Sequence, residues 1–356
     1  MKIVGILRGF PGLGRVVSGT EVITHFRDHY DAETLIFSYL QGEEYLKTKG
    51  IAPQYTVKSQ DYSSIGIIPV SDFGEFIIQT VGNFKPDLIL IDGEPLMVQC
   101  LKLVYPKIKM AVLLNPFDVD NPHNQKSSSI FFNDLYSRSD LAIVHGFSEL
   151  KSLNGYKNLH TINTIIREEV ISISSPFSKN KICCVLGGGT ANGLKEFEDS
   201  TMDLASLFTV LPEYLPQFEY HIFCSGSLLF NRIAEKNRKG DISIHHNIES
   251  SDQYFKDSKL IITRAGRNML SELLFLGIPT IAIPVGCKYR TKEQKANAKI
   301  VEIISQKKII YFDIDSSVYD FVSLCKRMIK LNSRGITTWE PGNKKAIELI
   351  YNLIIS

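Results

Sequence analysis

The segment 258–297 constrains the fold more than any other part of this chain. An apolar strand at 260–263 runs into a turn of Arg264, Ala265 and Gly266, and a helix follows that ends at Gly277. A second apolar strand at 280–284 comes next. A strand, a helix and a strand in succession are typical of a parallel sheet with a crossover helix. The turn and the N-terminus of the helix are therefore expected at the carboxyl edge of that sheet.

This turn has the chemistry of a nucleotide-diphosphate site. Helix N-termini attract phosphate, and a carboxylate nearby suits the hydroxyls of a ribose. Glu272 lies about two turns into the helix among leucines, and Arg264 and Arg267 can neutralise a diphosphate. A solvated helix residue is the plainer interpretation of Glu272.

Composition predicts an ordinary globular protein of two domains. The chain has 356 residues, with 40 Lys and Arg against 38 Asp and Glu, so it lacks the basic excess of a nucleic-acid protein. No apolar run reaches the length of about 18 residues that a membrane span needs. The six cysteines form no C-x-x-C pair, which favours free thiols in the cytoplasm over a zinc site.

Short apolar runs alternate with helical patterns along the whole chain, which predicts an α/β protein. We expect two Rossmann-like, doubly wound parallel sheets that face each other across a cleft. The expected parts are an N-terminal domain, a linker, a C-terminal domain and a last helix, at 1–165, 166–181, 182–342 and 343–356. Strands are predicted at 2–7, 33–38, 65–70, 88–92, 109–114, 141–144, 182–186, 220–225, 243–246, 260–263, 280–284 and 309–312.

Two further segments carry polar groups that suit a nucleotide sugar. After the strand at 182–186, three glycines and Thr190 offer backbone amides and a hydroxyl to a phosphate, although a plain tight turn explains them equally well. In the segment 288–297, Glu293, Gln294 and Asn297 share one helical turn and can bind sugar hydroxyls. A solvated charged helix is the alternative there.

Together these pieces resemble the donor domain of GT-B glycosyltransferases, and most of all glycosyltransferase family 28. The chain has R-x-G, then S-E, then G-I-P, then a polar pair ahead of N-A. The family usually has two glutamines at that pair, where this chain has Glu293 and Gln294. The resemblance covers roughly 182–350, and it implies an inverting transfer from a UDP-sugar. It assigns the donor to Gly188, Gly189, Thr190, Asn247, Ile248, Arg264, Ala265, Gly266, Arg267, Asn268, Glu272, Glu293 and Gln294.

In the N-terminal half the resemblance lies mainly in layout. Relatives often carry a histidine after the first strand, where this chain has Arg15. Arginine keeps its proton and is a poor base, but it can steady phosphate charge. The candidates for the general base are therefore Asp92 and Glu94, at the end of a predicted strand, and His123 in a later loop.

The sequence predicts a reaction without a metal or a cofactor. D-x-D occurs at 118–120 and again at 313–315, which shows that this metal-binding pattern arises easily by chance. The expected partners are a nucleotide sugar and an acceptor hydroxyl, with no nucleic acid. The sequence leaves open whether the protein contacts the inner membrane face peripherally, which acceptor it uses, and whether the nucleotide of the donor is UDP or dTDP. It also leaves open two alternative functions, namely a nucleotide-sugar hydrolase or epimerase and a non-catalytic partner of another transferase.

Overall fold

The computed structural model describes most of the chain. It covers residues 1–10, 12–58, 61–63, 65–120, 126–147, 150, 155–173, 180–187, 195–225, 227–237, 240–246, 252–286, 288–331 and 338–356. The chain forms two compact units. The first, unit 1, consists of Met1–Ile166 with Pro341–Ser356, and the second, unit 2, consists of Arg167–Glu340.

Unit 1 is built on a six-stranded sheet of order β2-β1-β5-β6-β7-β8, with every neighbouring pair parallel. A two-stranded antiparallel hairpin, β3-β4, stands apart from it. The elements of unit 1 up to β8, in chain order, are β1 (Lys2–Leu7), α1 (Gly14–Tyr30), β2 (Glu33–Phe37), α2 (Gln41–Thr48), β3 (Tyr62–Ser63), β4 (Gly66–Ile67), α3 (Asp72–Phe84), β5 (Leu88–Asp92), α4 (Pro95–Val104), β6 (Lys109–Leu114), α5 (Pro116–Val119), α6 (Lys126–Tyr136), β7 (Leu141–His145) and β8 (Leu159–Ile162).

Unit 2 repeats this architecture with a six-stranded sheet of order β11-β10-β9-β12-β13-β14, again parallel throughout. Its elements are α7 (Glu168–Ile171), β9 (Lys181–Val185), α8 (Lys195–Thr209), α9 (Leu211–Tyr214), β10 (Glu219–Cys224), α10 (Ser227–Lys236), β11 (Ile242–His246), α11 (Asp252–Phe255), β12 (Ser258–Thr263), α12 (Arg267–Leu276), β13 (Thr280–Ala282), α13 (Lys288–Ile304), β14 (Ile309–Tyr311) and α14 (Val318–Met328).

The central strands are continuous apolar runs because helices cover both faces of each sheet. Every residue of β5 is buried, and so is every residue of β7. Parallel strands covered on both faces lose the alternation of apolar and polar residues that a half-exposed strand shows. This burial places the cores on the two sides of each sheet, and leaves the strand ends for polar groups.

The last helix, α15 (Asn343–Ile355), returns to unit 1. Ala346, Ile347 and Ile350 join the apolar core on the α1 side of the first sheet. The side chain of Asn343 exchanges two hydrogen bonds with the backbone of Ile166, at 3.0 and 2.8 Å. The final helix therefore completes the core of the unit in which the chain begins.

The predicted fold class is confirmed, namely an α/β protein with two parallel sheets. The predicted bounds of β1, β5 and β6 agree with the structure. The strand predicted at 65–70 is wrong as a member of the main sheet, because only Gly66–Ile67 is extended and it pairs with Tyr62–Ser63. Gly66 has φ of +135°, which interrupts a longer strand. The sequence analysis missed β8 altogether.

Among the helices in the described part of the chain, none combines the length and the apolar character that crossing a bilayer requires.

Two isoleucines of α15 test its role in the core. Ile350 is fully buried, whereas Ile355 on the same helix is 63% exposed. Ile350→Ala should lower the free energy of unfolding by about 2–5 kcal/mol, because it removes buried methyl groups and leaves a cavity. Ile355→Ala should stay within about 0.5 kcal/mol of the parent. Urea denaturation of both variants measures this, and equal losses would contradict the docking of α15.

Candidate functional site

The strand order of each sheet reverses at one point. In unit 2 the chain leaves β9 toward β10 on one side, and leaves β12 toward β13 on the other. Loops that depart in opposite directions open a crevice at the carboxyl ends of the strands, where α/β proteins bind ligands. The glycine loop follows β9 and the Arg264–Gly266 turn follows β12. Both predicted phosphate-binding segments therefore flank this switch point.

The turn after β12 is fixed to the end of β9. Thr263 Oγ1 donates to the carbonyl of Val185 at 3.0 Å, and Arg264 Nη1 donates to the carbonyl of Leu186 at 2.9 Å. Ala265 is fully buried. These contacts hold the N-terminus of α12 in place beside the start of the glycine loop.

The N-terminus of α12 offers backbone donors and space. Gly266 is the residue that precedes the helix, and no side chain caps the helix there. The first amides of a helix have no partner within the helix and carry the positive end of its dipole. Gly266 has φ of −70°, which suits any residue, and no described atom lies within 4 Å of the position of a Cβ. Neither the backbone conformation nor the described neighbours require glycine here, so the missing side chain leaves room for a ligand on the described side.

Glu272 is buried and held by an arginine that the sequence analysis missed. Arg167 Nε and Nη2 donate to the two carboxylate oxygens of Glu272, each at 2.8 Å. Such a bidentate pair fixes the plane of the carboxylate, and a carboxylate has lone pairs for about four hydrogen bonds. The pair therefore orients Glu272 without using all its acceptor capacity. Its contact with a ribose stays a prediction.

The polar face of α13 is also buried. The side chains of Glu293, Gln294 and Asn297 lie almost entirely away from solvent, so the solvated-helix alternative does not describe them. Gln294 Oε1 accepts a hydrogen bond from the backbone amide of Val285 at 2.9 Å, which ties this turn of α13 to the loop after β13. The positions of the polar pair are thus fixed at the carboxyl edge of the sheet.

Several predicted site residues lie outside the described part of the chain. They are Gly188, Gly189, Thr190, Asn247, Ile248 and His123. Gly187, the first residue of the glycine loop, is described and has φ of +74°, a left-handed conformation that favours glycine. The roles of the six residues remain predictions.

Unit 1 has its own switch point, between β1 and β5. Arg15, the second residue of α1, lies there between two aspartates. Its Nη1 lies 3.2 Å from Asp92 Oδ1, and its Nη2 lies 2.9 and 2.8 Å from the two oxygens of Asp118. Burial by itself would lower the pKa of Arg15, but Asp118 and Asp92 outweigh it and hold that pKa above its usual value. Arg15 is therefore a permanent cation that binds two carboxylates.

Glu94 is fully enclosed at the same edge. It accepts hydrogen bonds from the Tyr39 hydroxyl, at 2.8 Å, and from the backbone amide of Ile67, and Arg8 Nε lies 3.5 Å away. Burial raises the pKa of Glu94, in spite of the opposing effect of Arg8. The carboxylate also occupies the space that a side chain at Gly66 would need. In this structure Glu94 ties the β3-β4 hairpin to the end of β5.

Asp118 is the second functional candidate that the sequence analysis missed. There it counted only as half of a D-x-D pattern. It follows β6 in the sequence N-P-F-D, in a capping box with Asn115. A carboxylate just after a buried strand was the available signal, the same one that picked out Asp92. Among the described residues, no group of three or more His, Cys, Asp or Glu stands close enough to hold a metal ion.

Two six-stranded parallel sheets with these switch points have the architecture of the GT-B fold. Residues 210–339 match the glycosyltransferase family 28 C-terminal domain. The UDP-N-acetylglucosamine--N-acetylmuramyl-(pentapeptide) pyrophosphoryl-undecaprenol N-acetylglucosamine transferase of Listeria monocytogenes is 24% identical over 300 residues, which cover 78% of this chain and 76% of that protein. The chain thus has the GT-B fold and resembles glycosyltransferase family 28.

An archaeal relative and two solved structures extend this comparison. An uncharacterized protein of Methanocaldococcus jannaschii is 26% identical over 64% of this chain, and the match spans about half of that protein, 46%. The crystal structure of Acinetobacter baumannii MurG aligns with a TM-score of 0.58 at 14% identity, over 99% of this chain and 100% of that one. The UDP-GlcNAc 2-epimerase of M. jannaschii, in complex with UDP-GlcNAc and UDP, aligns over both whole chains with a TM-score of 0.60 at 11% identity. These structures show the shared fold.

The raised pKa of Glu94 predicts a pH dependence of stability. A carboxyl group whose pKa is higher in the folded state favours folding when protonated. Its contribution is therefore lost as pH rises above the ordinary glutamate value of about 4.3 and through the folded value. Glu94→Gln stays neutral, so its stability relative to the parent should increase as pH rises above the ordinary glutamate value of about 4.3. Urea denaturation at a series of pH values measures the difference.

Glu75→Gln is the matched control for this measurement, because Glu75 is an exposed glutamate on α3. Its stability relative to the parent should show no comparable trend with pH. A constant difference between Glu94→Gln and the parent would show that Glu94 is ionised in the folded protein as readily as in the unfolded chain.

Proposed function

We propose that the protein is a glycosyltransferase that moves a hexose or N-acetylhexosamine from a UDP-sugar to an acceptor hydroxyl. One observation carries this proposal. The segment that matches the family 28 C-terminal domain contains the N-terminus of α12 behind Gly266, which no side chain caps, the buried Glu272 and the buried polar face of α13. Amides for a diphosphate, a carboxylate for a ribose and polar groups for a sugar then follow each other along one sheet edge.

In this proposal the donor binds unit 2. The diphosphate lies against the amides of Arg267 and Asn268 at the start of α12, with Gly266 giving the room, and against Gly188, Gly189 and Thr190. Arg264 and Arg267 add positive charge. Glu272 accepts from the ribose hydroxyls, and Arg167 keeps its carboxylate in place. The uracil contacts Asn247 and Ile248, and the donor sugar contacts Glu293 and Gln294.

The proposed reaction is a single displacement. An acceptor hydroxyl loses its proton and attacks the anomeric carbon, the bond from that carbon to the diphosphate oxygen breaks, and UDP leaves with the electron pair. One displacement inverts the configuration at the carbon. Helix amides and guanidinium groups stabilise the departing charge, so the proposal needs no metal ion. Asp92, Glu94 and His123 remain the proposed candidates for the base.

The acceptor and the location of the protein belong to the proposal as well. The acceptor is lipid-linked, a natural product or another hydroxyl compound. The name of the Listeria relative includes a pyrophosphoryl-undecaprenol acceptor, which supports peripheral contact with the inner membrane face. The described cysteines are all free, which supports a cytoplasmic location.

A second candidate function is hydrolysis or epimerisation of the nucleotide sugar. The structural similarity to a UDP-GlcNAc 2-epimerase supports it, since one fold can carry either chemistry. Arg15 at the position where GT-B relatives often have a histidine is compatible with this candidate. A non-catalytic partner of another transferase would keep nucleotide binding and lack both reactions.

The test is to incubate the protein with UDP-GlcNAc and UDP-glucose, with and without acceptors, in EDTA. Proton NMR follows the donor, the free sugar and the glycoside. A transferase should release UDP in step with a glycoside whose anomeric configuration is inverted. An epimerase would give the 2-epimer without an acceptor, and a hydrolase would give the free sugar. Activity that disappears in EDTA and returns with a divalent ion would contradict the metal-free reaction.

The two ends of α12 offer a matched pair of glycine variants. Gly266→Ala should weaken UDP binding about tenfold, because the added methyl group enters the space at the first amides of the helix. Its stability should change by less than about 1 kcal/mol, since φ of −70° suits alanine. Calorimetric titration with UDP measures the affinity, and thermal unfolding measures the stability.

Gly277→Ala at the other end of α12 should do the opposite. Gly277 has φ of +65°, which strains alanine, so this variant should lose about 1 kcal/mol of stability. Its affinity for UDP should not change. If Gly266→Ala kept the parent's affinity for UDP, the diphosphate would have to bind elsewhere.

A further inference from the structure

The switch point of unit 1 holds its positive charges inside ion pairs. Three pairs meet at the carboxyl ends of β1, β5 and β6, namely Arg8 with Glu94, Arg15 with Asp92, and Arg15 with Asp118. They comprise two guanidinium groups and three carboxyl groups. Among the described residues at this edge, positive charge is therefore not in excess.

The helix N-terminus at this edge is also compensated. Arg15 lies in the first turn of α1, where the helix dipole disfavours a cation. Asp92 and Asp118 offset both the charge of Arg15 and the positive end of the α1 dipole. Arg15 Nη2 donates to both oxygens of Asp118, and Arg15 Nη1 donates to Asp92, so the protein's own carboxylates already use these two nitrogens. The protein's own carboxylate thus occupies the position that a phosphate would take.

The two aspartates differ in their access to solvent. The side chain of Asp92 is 1% exposed, whereas that of Asp118 is 20% exposed. An anion that displaced Asp118 from Arg15 would leave a carboxylate at this edge without its cation, at a cost in free energy. A hydroxyl group can instead donate to the exposed side of Asp118 and leave the ion pair intact.

We propose that this edge of unit 1 receives an uncharged hydroxyl-bearing part of the acceptor and excludes phosphate and carboxylate groups, with Asp118 bound to Arg15 as the residue that sets this specificity. The inference rests on the proposed function, because it names the acceptor class of that reaction. It also assigns Arg15 a different role from the phosphate contact expected from the sequence. A pyrophosphoryl group of an acceptor would have to lie away from this edge.

Inorganic pyrophosphate tests the proposal. The protein is first saturated with UDP, so that the donor site is filled, and pyrophosphate is then titrated in by calorimetry. The parent should show no further site. Asp118→Asn releases Arg15 Nη2 and should gain a pyrophosphate site that the parent lacks, with an affinity at least about tenfold above the detection limit of the titration. The double variant Asp118→Asn with Arg15→Gln should lose this gain.

Asp120→Asn is the matched control, because it removes the same charge two residues further on from an exposed side chain. It should behave as the parent does. The proposal is overturned if the UDP-saturated parent binds pyrophosphate at a site that Arg15→Gln removes. It is also overturned if Asp118→Asn keeps its thermal unfolding transition and gains nothing.

Thermal unfolding shows which variants are folded. If Asp118→Asn does not fold, the comparison of pyrophosphate binding by the parent and by Arg15→Gln still tests the proposal. Failure of the proposed function is a separate result, since it appears as the absence of UDP binding before any pyrophosphate is added. In that case the difference between Asp118→Asn and the parent still tests the role of Asp118.

Discussion

The reversal of strand order in each parallel sheet is the constraint on which the chemistry of this protein depends. Parallel strands must be joined by crossovers, and a chain that adds strands first on one side and then on the other leaves two neighbouring loops that depart in opposite directions. In unit 2 these loops follow β9 and β12, and in unit 1 the corresponding strands are β1 and β5. Each candidate residue within the described part of the chain lies on or near these loops, or on a helix that starts from the same edge.

Buried charge distinguishes the two switch points. In unit 2 the carboxylate of Glu272 is held by Arg167, and no described atom lies within 4 Å of the position of a Cβ at Gly266, ahead of α12. At the switch point of unit 1 the carboxyl groups outnumber the guanidinium groups, and Arg15 donates its hydrogen bonds to Asp92 and Asp118. Because charges in a low-dielectric interior must be paired, the proposals assign anionic groups to the edge of unit 2 and uncharged groups to the edge of unit 1. This difference supports a donor role for unit 2 and an acceptor role for unit 1.

The fold is shared by proteins with different reactions, as the MurG and epimerase structures illustrate. The reaction must therefore follow from particular side chains. Arg15 is the side chain at the switch point of unit 1 on which the proposal for the acceptor depends. It cannot act as a base, and its two aspartates give this edge a chemistry that a histidine would not produce.

The sequence by itself determined the α/β class, the exact bounds of strands such as β5, and the turn of Arg264 to Gly266 ahead of α12. These features depend on short-range patterns: an apolar run of one strand's length, a glycine at a helix end, a helical period. The sequence did not reveal that Arg167 holds Glu272, 105 positions away, or that Asp118 binds Arg15. Nor did it reveal that α15 completes the core of unit 1, or that β8 adds a strand to its sheet. Tertiary packing decided those, because an ion pair between distant segments forms only after the sheet has brought the strand ends together, and no local pattern records which partner each charge will meet.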